Sequence, residues 1–460
     1  MPVQRLALAA LLAGTLAAFG GIYPWATPFI LAAAAIVCAL GGAESWRVAP
    51  DTRGLHLAFG WLVAAVALQL LPLPGLVRGW LSPAADTLTA RLRVDALLHD
   101  AGEMAALSID PRATLHALAL LLAVGLTYRA ALTVFAGGGL RQLTRILAWT
   151  GVVVAGVAIV QRAVSPGRIY GYWVPDDIGA QPFGPVVNRN HLVAWFLMAS
   201  ALACGYMVAR LRTRLDGPVV GASWRHVLRR VLDSGAPSMA LAWAVMAATI
   251  TVSRSRSGLI GLAVAVAVLW RGGATRDWHP RLATVVALLL SAGIGLALLA
   301  GDVPAITSRF AAGLGGAETD RTAIWRETLP IVSDFRLTGT GAGTFGMAMA
   351  GYQQTLPVFS HLDSVVRFNH AHNHYLQVAA EGGLWLALPA LALLVAFGRL
   401  ARTRMRQERG EALWLRLGAF AGLMAVAVQS LWEIPVTMPA NALLAATMAA
   451  VVTYRRNGHE

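Results

Sequence analysis

Apolar and polar residues fall in long blocks along this chain, with no short-period alternation. Apolar runs of roughly 17–25 residues, the length a helix needs to cross a hydrocarbon core, recur about twelve times. They cover 6–21, 23–41, 56–74, 113–134, 144–162, 190–209, 237–252, 257–270, 282–300, 373–398, 412–431 and 436–454. The run at 257–270 is short, and Ser253-Arg254-Ser255-Arg256-Ser257 interrupts 237–270. Polar connections are brief except at 75–112, 163–189 and 301–371. The pattern predicts an all-α polytopic membrane protein of about 12 transmembrane helices with one large loop. Residues 1–300 form a bundle of about nine spans with loops 75–112 and 163–189, 301–371 is the large loop, and 372–460 supplies the C-terminal helices. Within the large loop, Asp320 to Glu327 reads as an amphipathic helix and Gly339 to Phe345 as a tight turn.

Composition agrees. Apolar residues make up 57% of the chain and charged ones 13%, and mean hydropathy is +0.61. A net charge of +14 would suit a nucleic-acid binder, but the cations sit in short interhelical connections, not in a basic patch interleaved with aromatics. All 37 cationic side chains are Arg. Their density in the connections near residues 47–53, 141–145, 210–230, 271–281 and 399–409 marks those loops as cytoplasmic. Both termini are then cytoplasmic, the three long connections lie on the outer side, and the apolar N-terminal stretch is an uncleaved first helix. Cys38 and Cys204 fall in separate spans and are expected as free thiols.

On this topology three features meet at the outer boundary. Asn188-Arg189-Asn190-His191 opens the sixth span, Arg254 and Arg256 occupy the turn before the eighth, and His370-Ala371-His372-Asn373-His374-Tyr375 opens the tenth. Titratable groups at the rim of a hydrocarbon slab are costly and mark a functional site. Guanidinium forks at headgroup depth suit a diphosphate, and imidazole suits removal of a proton from a hydroxyl. Each has a rival reading. The Arg side chains can snorkel, and His370 and His374 have the i, i+4 spacing of a zinc pair. No Cys or carboxylate accompanies those His in a zinc pattern, so no metal or other cofactor is expected. Trp325 and Trp432 read as interfacial anchors, and Glu433 and Asp363 as loop charges.

These residues resemble the O-antigen ligase and polymerase superfamily, membrane glycosyltransferases of the bacterial envelope. The family marker is a His followed by Asn, Ser or Gln, then nine residues to a Gly. Here His372-Asn373 is followed by His374 to Gly382 and then Gly383, with Tyr375-Leu376-Gln377 and Glu381 in agreement and Leu386 in place of a second Gly. Phe183 to His191, Thr251 to Gly258, Arg321 to Trp325 and Leu337 to Gly341 resemble further family blocks, and the spacing favours Arg256 over Arg254 as the matching Arg. The resemblance implies a GT-C-like helical fold in the inner membrane with its active site facing the periplasm. It also implies metal-independent, inverting transfer of a glycan from undecaprenyl diphosphate to the lipid A–core of lipopolysaccharide. His372 is then the general base, and Arg189, Arg256 and Arg321 hold the diphosphate. Asn190, Asn373, His374, Tyr375 and Arg254 support them. Polymerases and protein O-oligosaccharyltransferases share these marks. A transporter is the remoter alternative, and it calls for ionisable residues near mid-span and paired broken helices.

Overall fold

A computed structural model describes residues 2–92, 105–177, 180–215, 223–274, 284–288, 290–291, 295, 320–354, 358–359, 364–365 and 367–455. In chain order the α-helices are α1 Pro2–Ala17, α2 Ala26–Ala39, α3 Arg53–Leu68, α4 Gly75–Leu81, α5 Pro83–Leu92, α6 Pro111–Ala136, α7 Leu140–Val164 and α8 Arg189–Leu215. They continue as α9 Trp224–Leu232, α10 Ala236–Val252, α11 Arg256–Ala274, α12 Asp320–Asp334, α13 Phe345–Tyr352, α14 His374–Gln407, α15 Glu411–Gln429 and α16 Pro439–Thr453. The fold is mostly helical, as the block pattern requires.

Among the described residues, six helices are long and apolar enough to cross a membrane: α6, α7, α8, α11, α14 and α15. A seventh candidate is the bent pair α9–α10, which turns by 73°. α1, α2 and α16 are shorter apolar helices. At 16 residues, α1 is about 24 Å long, less than the roughly 30 Å of a hydrocarbon core. α3 also has 16 residues, ending short of the expected 56–74. Hydropathy merges such a helix with the apolar turn that follows it. The span expected at 282–300 lies largely outside the described residues, as do Asp363 and the stretch 301–319 of the large loop.

α8 is the axis of the bundle, its apolar stretch wholly buried. α7, α10, α11, α15 and α16 pack around it. Lipid gives apolar helices no hydrophobic reason to associate, so close backbone packing does that work. The α8–α15 crossing shows how. Gly205 faces the Trp414 carbonyl and Gly418, and Gly422 faces Met198, so tightly that an added methyl on any of the three would collide.

The loop before α14 does not stand apart from the bundle. α14 carries a break at Gly383, where φ is 52°, and the backbone groups freed there bond to residues 336–341. Leu384 N–H donates to Arg336 O at 2.8 Å, Trp385 N–H to Leu337 O at 2.9 Å, and Gly341 N–H to Glu381 O at 2.9 Å. Irregular backbone at such depth survives only when protein satisfies it. Gln69 adds a strut, donating to Thr338 O at 2.9 Å and accepting from Ala342 N–H at 3.0 Å. The 336–345 segment thus locks α3 and α6 to α14 and fixes where α14 begins.

Candidate functional site

α14 starts at His374 because Asn373 caps it, its side-chain oxygen accepting from Leu376 N–H at 3.0 Å. Just ahead, His372 has φ 47°, a left-handed conformation that is costly outside glycine and is held only where its surroundings dictate it. Those surroundings are visible. Ala371 N–H donates to Gln377 Oε1 at 3.2 Å, and Ala371 O accepts from the Trp325 indole at 2.9 Å. On the other side, His374 N–H donates to Ser430 O at 2.8 Å. Gln377 is fixed in turn by Glu381 Oε1 at 3.0 Å, and Glu381 accepts from Gly343 N–H at 2.9 Å and Phe345 N–H at 3.3 Å. The peptide carrying His372 is clamped from both faces.

The centre of the site is Glu433, which by sequence alone reads as a loop charge. Its side chain is only 1% exposed. Oε1 accepts from Asn190 Nδ2 at 2.7 Å and from Arg321 Nη2, while Oε2 faces His372 Nδ1 at 3.6 Å. Burial pushes the carboxyl pKa up, but the contact with His372 and the charges of Arg321, His372 and His191 more than offset this and hold it below the usual carboxylate range. Supporting bonds brace the arrangement: Gln429 Nε2 to Asn190 O at 3.1 Å and Asn441 Nδ2 to His191 O at 2.9 Å. A buried carboxylate so paired is ionised, and it faces the Nδ1 edge of His372. The His372 side chain keeps 34% exposure.

The structure therefore brings Asn190, Arg321 and His372 onto one carboxylate. Arg321 already spends part of its donor set on Glu433 rather than standing ready for a ligand alone. Arg189 begins α8 beside Asn190 and is half-buried. Arg254, with φ 57°, and exposed Arg256 form the turn into α11. That turn reaches the same end of the bundle because Gly258 packs on Val193 in the first turn of α8. Tyr375 is tethered through its hydroxyl to Ala427 O at 2.8 Å. The zinc-pair geometry considered for His370 and His374 does not form, because the helix begins only at His374. Trp325 is a clamp on Ala371 and not a free interfacial anchor. Beside His372, α12 and the first turns of α14 enclose an open cleft of about 620 Å³, lined largely by Trp325, Leu329, Leu376 and Ala379, with Arg326 and Asn373 at its edge.

Glu433 was missed because its burial is tertiary. One signal was available: it is a carboxylate between Trp432 and Pro435, in the connection that joins the last two helices at the end where His372 lies.

Residues 241–391 match the family model described as O-antigen ligase. The chain carries an O-antigen ligase family domain. It spans α10 to the first half of α14 and so includes the Arg254–Arg256 turn, Arg321, the 336–345 segment and His372. Arg189, Asn190 and Glu433 lie outside the matched stretch and join the site through the fold. No curated protein matches the chain. The match supports the O-antigen ligase and polymerase superfamily, whose members are membrane glycosyltransferase-like enzymes, and it agrees with the apolar helices and the polar cluster at one end of the bundle.

Proposed function

We propose that this protein is an O-antigen ligase that transfers a glycan from undecaprenyl diphosphate to a hydroxyl of the lipid A–core. The observation that carries the reading is the buried Glu433–His372 pair. With Glu433 at Nδ1, the imidazole keeps its proton on that side and offers Nε2 to an acceptor, and the carboxylate stabilises the imidazolium that follows. The acceptor hydroxyl gives its proton to His372 Nε2 as its oxygen bonds to the anomeric carbon. The bond from that carbon to the diphosphate oxygen breaks with inversion, and undecaprenyl diphosphate leaves. Arg189 and Arg256 hold the diphosphate and spread its charge, with Arg321 adding a contact while it neutralises Glu433. Asn190 positions Glu433, and Asn373, His374 and Tyr375 fix the start of α14. Arg254 shapes the turn that presents Arg256. The cleft between α12 and α14 suits the apolar end of a lipid-linked donor.

The arginine asymmetry of the loops supports an inner-membrane protein with both termini cytoplasmic and this end facing the periplasm, where such a donor and acceptor meet. The groups that meet on Glu433 lie at one end of the bundle and not along a mid-span path, which favours a transferase over a transporter. The reading is tested with a surface-glycan gel from the host lacking the gene, complemented with the native protein or with His372→Ala. The expected result for both deletion and variant is lipopolysaccharide without O-antigen and long polymer retained on the lipid carrier. A core bearing one repeat unit would identify a polymerase, and an unchanged lipopolysaccharide ladder would refute the ligase reading and direct the search to glycoproteins.

A further inference from the structure

Four aromatic rings from two separate connections assemble at the same end of the bundle as the His372 site. Phe19 and Tyr23 come from the α1–α2 connection, Tyr170 and Trp173 from the segment after α7. Phe19 lies 5.5 Å from Tyr23, 6.0 Å from Tyr170 and 5.2 Å from Trp173, centroid to centroid, and Tyr23 lies 5.6 Å from Trp173. Polar tips are turned inward: Trp173 Nε1–H donates to Tyr23 Oη at 2.7 Å, and the Tyr170 hydroxyl donates to Ala17 O at 2.5 Å. Ile169 and Trp173 pair through their backbones, N–H to O at 2.8 and 3.0 Å.

The backbone sets this cluster apart from an ordinary interfacial belt. Among the described residues, non-glycine positive φ occurs at Phe19 (57°), Tyr170 (55°), Arg254 and His372. Two of these strained positions belong to the candidate site, and the other two lie side by side in the aromatic cluster. Strain on bulky residues persists where the surroundings over-determine it, and it concentrates at functional sites. Belt aromatics need neither a left-handed backbone nor polar tips bonded within the fold. The outcome is a stiff array that keeps Tyr170 41% exposed, with Tyr172 68% exposed two residues on and exposed Asp176 close by in sequence.

Two contacts place the array near the chemistry. Gly20 packs closely on Met438, which follows Glu433 in the same short connection, and Gly21 packs on Pro439 at the start of α16. Arg162 Nη1 donates to Val252 O at 2.6 Å, tying the end of α7 to the end of α10 just before Arg254.

Resting on the glycan-transfer reading, we propose that Tyr170, braced by Phe19 and its neighbours, and the adjacent exposed Tyr172 form a sugar-binding platform that holds pyranose rings of the glycan away from the reacting end. The apolar C–H face of a pyranose packs on an aromatic ring, and a neighbouring carboxylate such as Asp176 accepts from its hydroxyls. A preassembled aromatic surface gives up little entropy on binding. The sugars come from the donor glycan or from the acceptor core, and both are pyranose chains to this surface.

The test uses the full-length protein in lipid nanodiscs and fluorescence anisotropy of two end-labelled probes: O-glycan released from the host's lipid carrier, and delipidated host core oligosaccharide. Tyr172→Ala removes an exposed ring from a residue that braces nothing in the cluster, and Tyr172→Phe restores the ring. The expected result is saturable binding of one probe, weakened about fivefold or more by Tyr172→Ala, kept by Tyr172→Phe, and kept by His372→Ala. The probe that responds names the source. The proposal is overturned if neither probe binds saturably. It is also overturned if Tyr172→Ala leaves both isotherms unchanged, including the case where it lowers only thermal stability in the bilayer, as an interfacial anchor would. Binding lost in Tyr172→Ala supports the platform whether or not the protein transfers glycan. Transfer by the native protein without such a loss overturns the platform alone.

Discussion

Replacing Glu433 with Gln keeps the shape of the side chain and removes its charge. In the native protein the carboxylate faces His372 Nδ1 at 3.6 Å and accepts from Arg321 and Asn190. The carboxamide oxygen can keep the last two bonds while its NH₂ turns to Nδ1, which moves the imidazole proton to Nε2. The base then presents a proton where it should accept one. Loss of the carboxylate from a catalytic His–carboxylate pair costs about 10⁴ in turnover when the two are hydrogen-bonded. At 3.6 Å the contact is longer than a hydrogen bond, so a smaller loss is expected, about 10²–10³-fold. That corresponds to about 2.7–4 kcal/mol at roughly 1.36 kcal/mol per decade. The assay is single-turnover transfer by purified protein from a lipid-linked glycan, so that product release does not mask the chemical step. The loss should appear in the rate at saturating donor, with donor affinity near native. Turnover within about threefold of native, or a loss carried wholly by donor affinity, would refute the coupling of Glu433 to His372.

The remaining predictions follow the same contacts. Gln377→Ala unclamps the Ala371 peptide, and the turnover rate should fall about tenfold at unchanged donor affinity, since misplacement of the base and not loss of binding is at stake; kinetics at saturating donor check this. Gly383→Ala puts a methyl within 2.7 Å of Arg336 O at φ 52°, which should cost roughly 3 kcal/mol and lower the Tm by several degrees in a detergent melt. The folded pKa of Glu433 is depressed, so its contribution to stability is full above the ordinary Glu value of about 4.3 and is lost as pH falls through the lower folded value. Melts across that acid window should show a steeper loss in the native protein than in Glu433→Gln.

What the sequence made legible was local. The start of α14 beside His372, the Arg254–Arg256 turn and most apolar helices rest on neighbours in the chain, and the structure has them close to where the pattern predicts. What it hid was tertiary. Glu433 reads as a loop charge until the fold seats it against Asn190, Arg321 and His372, and Trp325 reads as an anchor until its indole is seen on the Ala371 carbonyl. The break at Gly383 was hidden likewise, because residues 336–341 satisfy it from across the loop. Helix length was legible only in part. Hydropathy runs through α2, α3 and α16 into their apolar turns and makes each look longer than the hydrogen-bonded helix is.

The most direct test of the central claim is transfer of labelled glycan from undecaprenyl diphosphate to lipid A–core by purified native protein and by His372→Ala. General-base catalysis predicts that the native protein transfers and that the variant, while still folded, is slower by about 10²–10⁴-fold. Full transfer by folded His372→Ala would contradict it.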